Sequence, residues 1–258
     1  MKPWVVILGS SSGFGAAVAR EFAAAGHPIF GAHMDRRGTL PQVEALMEEL
    51  RGHGVPVVFH NGNAASDDVR AEALDALDAA MAEHGGKVGV LLHSLAFGTL
   101  RPFIADKAIG RRHLDMTLDV MANSLVYWTQ DLVARDAFDR PAKIYAMTSS
   151  GSIAVWPSYG AVSAAKCALE SHIRQLALEL APRGITANAI MAGVTRTPAL
   201  EKIPGAAEIA ETALARNPSG RLTTPEDVAQ ALMALSGPGT HWITGNVLRV
   251  DGGESICG

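Results

Sequence analysis

Short, continuously apolar runs that alternate with helical patterns constrain the fold of this chain more than any other feature. Seven such runs occur, at 4–8 (WVVIL), 28–32, 55–59, 88–92, 142–147, 185–190 and 246–250. Continuous hydrophobicity is typical of strands that are buried on both faces. Helical patterns separate the runs, for example at 16–26, 42–54 and 67–85. The alternation predicts an α/β fold with one doubly wound parallel sheet of about seven strands and helices on both faces.

Composition bounds the class of protein further. With 258 residues, 48% of them hydrophobic, the chain buries a large core and fits one large domain or two small ones. Its net charge of -4 and pI of about 6.1 give no reason to expect a nucleic-acid or membrane-surface partner. The two cysteines, Cys167 and Cys257, have neither a disulfide nor a zinc spacing, which predicts a reduced, cytoplasmic protein without a metal site. The apolar N-terminal run is too short for a signal peptide or membrane span.

One segment breaks the rhythm. Residues 197–228 separate the sixth strand from the last helix and strand, and their pattern predicts short helices. We interpret about 197–220 as a substrate-binding lid on a single domain that spans residues 1–258. The alternative is an ordinary surface excursion.

A glycine-rich turn, GSSSGFG, lies directly between the first strand and the first helix. Glycines let the backbone approach a pyrophosphate, which the free N–H groups and dipole of the following helix attract. We therefore predict cofactor contacts from Gly9, Ser11, Ser12, Gly13, Phe14 and Gly15. The G-x-x-x-G-x-G spacing resembles the nucleotide loop of the short-chain dehydrogenase/reductase superfamily. That resemblance implies a Rossmann fold and a nicotinamide dinucleotide.

The end of the second strand, GAHMDRRG, selects the dinucleotide. His33 stands where the superfamily usually has an acidic residue that holds the ribose, eighteen residues after Gly15, and Asp35 follows two later. Arg36 and Arg37 come next, and arginine pairs well with a 2′-phosphate. We predict NADPH, with NADH as the alternative if Asp35 reaches the ribose. His33 is interpreted as a neighbour of the adenosine.

Tyr159 and Lys166 form a candidate catalytic pair. Seven residues advance a helix by about 700°, so both side chains share one face. The Y-x6-K spacing resembles the enoyl-acyl carrier protein reductase branch of the superfamily, and Val162 at the more common tyrosine position cannot donate a proton. The resemblance implies that Lys166 holds the nicotinamide ribose and lowers the tyrosine pKa, and that Ser149, seventeen residues before the lysine, is the catalytic serine.

A second motif points to the same branch. HSLAF (93–97) resembles its H-S-I/L-x-F stretch, where the superfamily more often has N-N-A-G. The resemblance implies a backbone ledge beneath the nicotinamide at Ser94, Leu95 and Ala96, with Phe97 lining an acyl pocket. Met121 stands where the superfamily has its catalytic asparagine, and Asn123 is not assigned that role.

The remaining candidate residues also come from the resemblance, which runs from about residue 4 to 255. Asn63 and Ala64 match its adenine-contacting pair, and NAIMAGVTRTPAL matches its nicotinamide loop, with Val194 in place of the usual proline. The implied contacts are to the cofactor from Gly193, Thr195 and Thr197, and to the substrate from Ala199 and Leu200.

These features predict an NAD(P)H-dependent reductase of the carbon–carbon double bond of trans-2-enoyl thioesters. The acyl chain would be carried by acyl carrier protein or coenzyme A. By resemblance, helices at 111–137 and 157–181 would pack in a homotetramer. The alternatives are a carbonyl reductase of the β-ketoacyl type and a catalytically silent dinucleotide-binding regulator.

Overall fold

A computed structural model of the chain, which describes residues 2–257, contains seven strands and eight α-helices in alternation. The strands are β1 (Trp4–Leu8), β2 (Ile29–His33), β3 (Val57–Asn61), β4 (Val88–His93), β5 (Phe138–Thr148), β6 (Ile185–Ala192) and β7 (Val247–Val250). The helices are α1 (Gly13–Ala24), α2 (Leu40–Arg51), α3 (Asp67–His84), α4 (Arg111–Leu118), α5 (Ser124–Ala134), α6 (Gly160–Leu180), α7 (Ala206–Arg216) and α8 (Pro225–Ser236).

All seven strands form one parallel sheet in the order β3-β2-β1-β4-β5-β6-β7. The order reverses direction between β1 and β4, and such a switch point opens a crevice at the carboxyl ends of the strands. The predicted α/β fold, with a doubly wound sheet of seven strands, is confirmed.

The continuous hydrophobicity of β1 has the expected cause. Trp4, Val6 and Leu8 point into a core shared with α3, α5 and α6, whereas Val5 and Ile7 point into a second core under α1, α2 and α8. All five side chains are fully buried, because helices cover both faces of the sheet.

Several boundaries differ from the predicted ones. β5 begins at Phe138, four residues before the apolar run at 142–147, and pairs there with Val88 across a register shift. Between α4 and α5 a π-helical turn spans Asp119–Asn123. The segment 197–220 contains a short 3-10 turn (Leu200–Lys202) and α7, and its function as a lid stays a prediction. No helix within residues 2–257 is long and apolar enough to span a membrane.

The turn from β1 into α1 depends on close backbone contact. A Cβ atom on Gly15 would lie 1.9 Å from the carbonyl oxygen of Gly9, which no side chain tolerates. Gly9 itself has a φ of +91°, in the region that favours glycine. The helix can start this close to the strand only because both positions lack a side chain.

We expect Gly15→Ala to destabilise the protein by about 1–3 kcal/mol, because the added methyl group must displace backbone atoms. Gly38→Ala is the matched control, since a Cβ at Gly38 meets nothing within 4 Å. Urea unfolding followed by circular dichroism measures both variants. Equal unfolding midpoints for the two would contradict the proposed backbone contact.

Candidate active site

The candidate site lies where the carboxyl ends of β1, β4, β5 and β6 meet at one edge of the sheet. The Ser94 N–H donates to the Leu8 carbonyl at 2.8 Å, which ties the loop after β4 to the end of β1. A Cβ on Gly9 would lie 2.5 Å from the Ser94 carbonyl oxygen. The glycine-rich turn and the HSLAF segment, 80 residues apart in sequence, are thus in direct contact.

The glycine-rich turn has the features of a phosphate cradle. Ser12, the residue immediately before α1, has an extended backbone conformation. The Ala16 N–H donates the first backbone hydrogen bond of this turn, to the Ser12 carbonyl at 3.2 Å. The N–H groups that precede it at the helix start have no intrahelical acceptor and are free to bind an anion. A Cβ on Gly13 would lie 3.5 Å from the Thr197 methyl group. The glycine-rich turn and the loop after β6 therefore lie close together at this edge of the sheet.

Asp35, which follows β2, is held firmly by contacts within the protein. Its backbone N–H donates to the Asn61 side chain and its carbonyl accepts from it, both at 3.0 Å. Its carboxylate lies 3.0 Å from Nδ1 of buried His33. Burial alone would raise the Asp35 pKa, but hydrogen bonds from Ser11, Thr39 and His33 outweigh it and lower that pKa.

The two residues predicted to contact adenine have partners within the protein. The exposed Asn63 side chain accepts from the Ala65 N–H at 3.1 Å, and the buried Ala64 carbonyl accepts from Nε1 of Trp128 at 2.8 Å. These bonds fix the loop after β3 beside α5.

Tyr159 immediately precedes α6, and its carbonyl accepts the N–H of Ser163 at 2.8 Å, so it shares the helical register. Its hydroxyl lies 3.5 Å from Oγ of Ser149, at the outer limit of a hydrogen bond. Gly151 lets the ring approach, because a Cβ there would lie 2.4 Å from Cε1 of Tyr159. The structure therefore brings together the predicted tyrosine and serine, and adds a glycine that sequence reasoning did not select.

The direction of the Tyr159 pKa differs from the one that the resemblance implied. Burial raises the pKa, and the Ser149 hydrogen bond only partly offsets that effect. Desolvation of the phenolate is the largest effect on this pKa. At neutral pH Tyr159 is thus a protonated phenol, which suits a hydrogen-bond donor.

Lys166 is a buried cation on α6, seven residues after Tyr159. Its ammonium group donates to the Met147 carbonyl at 2.7 Å, and 5% of the residue is exposed. Burial lowers the Lys166 pKa from 10.5 to about 8, against the opposing effect of Glu170 one turn along α6. Glu170 accepts the Thr148 hydroxyl at 2.6 Å, which ties it to the end of β5.

His93 is a neutral core residue at the end of β4. The Ser124 hydroxyl donates to the Val120 carbonyl at 2.9 Å, so His93 Nε2 must donate to that hydroxyl, also at 2.9 Å. Complete burial, followed by the charge of Lys166, lowers the His93 pKa to about 3.

The usual asparagine position is apolar here. Met121 is 2% exposed and packs with Val162 and Ala165 in a small cluster that Tyr159 touches. Asn123 points elsewhere, and its side-chain oxygen lies 3.1 Å from Nε2 of His172 on α6. The tyrosine ring thus borders apolar side chains on the side of α6 and the π-helical turn.

The predicted nicotinamide loop after β6 is ordered by its own contacts. The buried Thr195 hydroxyl donates to the Gly193 carbonyl at 2.9 Å, and the Thr197 hydroxyl accepts the Leu200 N–H at 3.3 Å. Leu200 and Ala199 are half-buried where the lid segment begins. The loop thus leads from the sheet edge past the glycine-rich turn to the lid segment.

The ring of Phe103 packs against the start of α6, and sequence reasoning did not select this residue. A Cβ on Gly160 would lie 2.5 Å from Cζ of Phe103, so that ring covers the backbone beside Tyr159. The predicted pocket residue Phe97 is 48% exposed. No group of three or more His, Cys, Asp or Glu side chains within residues 2–257 is arranged to hold a metal ion.

The depressed Lys166 pKa predicts a pH dependence of stability. Between pH 8 and about 10 the unfolded lysine keeps a proton that the folded one has lost, so stability rises with pH by up to about 1.4 kcal/mol per unit. Below pH 8 both states are protonated and the slope vanishes. Lys166→Met lacks this group, so its free energy of unfolding should fall relative to that of the wild type as pH rises from 8 to 10.

Urea unfolding at several pH values measures the difference, with Lys107→Met at an exposed position as the control. Parallel curves for wild type and Lys166→Met across that range would contradict the assigned burial of the charge.

Comparison with known proteins gives a consistent family. A family model described as Enoyl-(Acyl carrier protein) reductase matches residues 9–255. The chain is 28% identical to 1-cyclohexenylcarbonyl-CoA reductase of Streptomyces collinus, over 97% of this chain and 86% of that protein. It is 30% identical to a 3-oxoacyl-(acyl-carrier-protein) reductase of Aggregatibacter actinomycetemcomitans, over 98% and 99% of the two chains.

Among solved structures, enoyl-(acyl-carrier-protein) reductase (NADH) of Aquifex aeolicus superposes with a TM-score of 0.82. It is 27% identical, and the match covers 99% of this chain and 97% of that one. Together with the glycine-rich turn and the Ser149, Tyr159 and Lys166 arrangement, the match to nearly the whole chain is decisive. The chain belongs to the short-chain dehydrogenase/reductase superfamily, in its enoyl-acyl carrier protein reductase-like branch.

Proposed function

We propose that this oxidoreductase reduces the carbon–carbon double bond of trans-2-enoyl thioesters carried by acyl carrier protein or coenzyme A. One observation carries the proposal. A protonated Tyr159 lies seven residues before a buried Lys166, while the position four residues before that lysine holds Val162, packed against Met121. This arrangement offers a proton donor only at the more distant position.

The residues have distinct roles in this proposal. A bound nicotinamide dinucleotide would supply the hydride to the substrate β-carbon, and a proton from solvent would complete the reduction at the α-carbon. Tyr159 donates a hydrogen bond to the thioester carbonyl oxygen as negative charge develops there, and a preorganised donor of this kind lowers such barriers most. Lys166 binds the nicotinamide ribose. Ser149 orients the Tyr159 hydroxyl from 3.5 Å away.

The lid proposal has support in one contact. Nε1 of Trp156, in the loop before α6, donates to the Pro204 carbonyl at 3.0 Å, and a Cβ on Gly205 would lie 3.3 Å from the same indole. The segment before α7 thus rests on the loop that leads to Tyr159. We propose that residues 197–220 close over an acyl chain there and exclude water from the reaction.

The main alternative is a carbonyl reductase, which the 3-oxoacyl relative represents. That reaction requires a proton donor to the oxygen bonded to the carbon that receives the hydride. Val162 and Met121, at the usual tyrosine and asparagine positions, offer none. The second alternative is a catalytically silent dinucleotide-binding regulator. It does not explain why Tyr159, Lys166 and Ser149 all occur at the spacing expected of a catalytic set.

We expect crotonyl-CoA to be reduced and acetoacetyl-CoA not to be. Tyr159→Phe should lower kcat for crotonyl-CoA by about 10²-fold, the loss typical of removing one oxyanion donor. Tyr127→Phe on α5 is the matched control, because that hydroxyl bonds to Asp119. Nucleotide oxidation at 340 nm measures all three proteins.

Turnover of acetoacetyl-CoA alone would establish the carbonyl reductase. Undiminished activity of Tyr159→Phe would remove the proposed donor, and no reduction of any acyl thioester would favour the regulator.

For the hydride donor, we propose NADPH. The Asp35 carboxylate pairs with Nδ1 of His33 at 3.0 Å, whereas Arg36 and Arg37 are exposed and form no ion pair within residues 2–257. Both guanidinium groups are therefore available to a 2′-phosphate. NADH remains the alternative, since the name of the Aquifex aeolicus enzyme specifies NADH.

The double variant Arg36→Ala/Arg37→Ala should bind NADPH about tenfold more weakly and NADH unchanged, because a charge-assisted phosphate contact is lost. Fluorescence titration of the reduced nucleotides measures both affinities, with exposed Arg112→Ala as the control. Tighter binding of NADH than NADPH by the wild type, lost in Asp35→Asn, would instead place Asp35 on the ribose.

We further propose a cytoplasmic homotetramer whose interfaces include residues 111–137 and 157–181. In support, Leu178 on α6 is 71% exposed in the single chain, although it is a large apolar residue. Light scattering determines the mass in solution.

A further inference from the structure

The loop after β6 is attached to the C-terminal segment by one hydrogen bond. The backbone N–H of Val194 donates to Oε2 of Glu254 at 2.9 Å, across 60 residues of sequence. This N–H exists only because valine replaces the proline that the family motif usually has here, since proline has no N–H to donate. A proline stiffens the loop through its ring, whereas this chain ties the same point to a carboxylate.

The carboxylate also packs against the adjoining residue. A Cβ on Gly193 would lie 2.8 Å from Oε2 of Glu254 and 2.4 Å from Oγ1 of Thr223. Gly193 donates its N–H to the Val250 carbonyl at 3.1 Å, so it continues the pairing of β6 with β7. Glu254 therefore contacts the loop at two successive residues, immediately before Thr195.

Glu254 is itself held in place. Asp251, which is 8% exposed, accepts the N–H groups of Gly253 at 3.0 Å and Ser255 at 3.2 Å, and also the Ser255 hydroxyl. Its own carbonyl accepts the Asn217 side chain at 3.0 Å. The turn that presents Glu254 is thereby fixed both to itself and to the end of α7.

The electrostatic setting of Glu254 agrees with a structural carboxyl group. Burial raises the Glu254 pKa, the Val194 N–H lowers it, and nearby Asp251 raises it again. The group is half-buried, and its hydrogen bond to the loop offsets part of the cost of removing it from water.

We infer that Glu254 is a positioning residue for dinucleotide binding, which replaces the constraint of the missing proline by holding residues 193–197 in the geometry that receives the nicotinamide. The C-terminal turn 251–256 is therefore part of the framework of the active site. This inference rests on the proposed dinucleotide site but not on the choice of an enoyl substrate.

A double-mutant cycle tests it. Glu254→Ala should weaken NADPH or NADH binding about tenfold, the effect expected for losing a hydrogen bond to a charged acceptor. Val194→Pro removes the N–H and restores the ring, so adding Glu254→Ala to it should change affinity less than about twofold. Glu254→Gln keeps an acceptor oxygen and should retain most of the affinity. Glu83→Ala, exposed on α3, is the control.

Two readouts are needed: nucleotide affinity by fluorescence titration, and hydrogen exchange of the Val194 amide. The amide should be protected in the wild type and Glu254→Gln, and exchange faster in Glu254→Ala. An equal loss of affinity from Glu254→Ala in the valine and proline backgrounds would overturn the inference. So would unchanged exchange of the Val194 amide in Glu254→Ala. If Glu254→Ala does not fold, the Glu254→Gln and Val194→Pro variants test the inference instead. Tenfold weaker nucleotide binding by Glu254→Gln would then overturn it.

Discussion

The contact between the backbones of Gly9, Gly15 and Ser94 is the constraint on which the rest of the site depends. A Cβ atom on Gly15 would clash with the Gly9 carbonyl oxygen, and a Cβ atom on Gly9 would clash with the Ser94 carbonyl oxygen. Because these positions lack side chains, α1 starts directly at the sheet edge and its free N–H groups face the crevice. The loop after β4 can then lie beside the glycine-rich turn, as the proposed binding of one dinucleotide across both segments requires.

The parts of this architecture that were predictable are those with a local physical cause. Strands buried on both faces require continuous apolar runs, and the turn that approaches a phosphate requires glycine, so both leave clear patterns in sequence. The boundary of β5 was less predictable, since Phe138 pairs with β4 across a register shift that no local pattern records. The individual site roles stay predictions, because family motifs rather than local physics assigned them.

What could not be predicted depends on contacts between distant segments. Sequence reasoning identified Val194 only as a departure from the usual proline, but the N–H that valine restores donates to Glu254 in the C-terminal turn. Phe103 covers Gly160 from a segment that has no helical or strand pattern. The sign of the Tyr159 pKa shift likewise depends on burial, which the spacing to Lys166 does not reveal.

The electrostatics of the site follow from burial more than from charge pairing. Lys166 is a desolvated cation, and the groups nearest to it respond differently: His93 stays neutral, whereas Glu170 partly offsets the cost of burying the ammonium. Tyr159 keeps its proton because a buried phenolate is also costly. A donor that remains protonated stabilises negative charge on a substrate oxygen without having to lose its proton first. That property fits charge developing on a thioester oxygen three bonds from the carbon that receives hydride in the proposed reaction. Met121 and Val162, which occupy the usual asparagine and tyrosine positions, form an apolar cluster and offer no proton donor there.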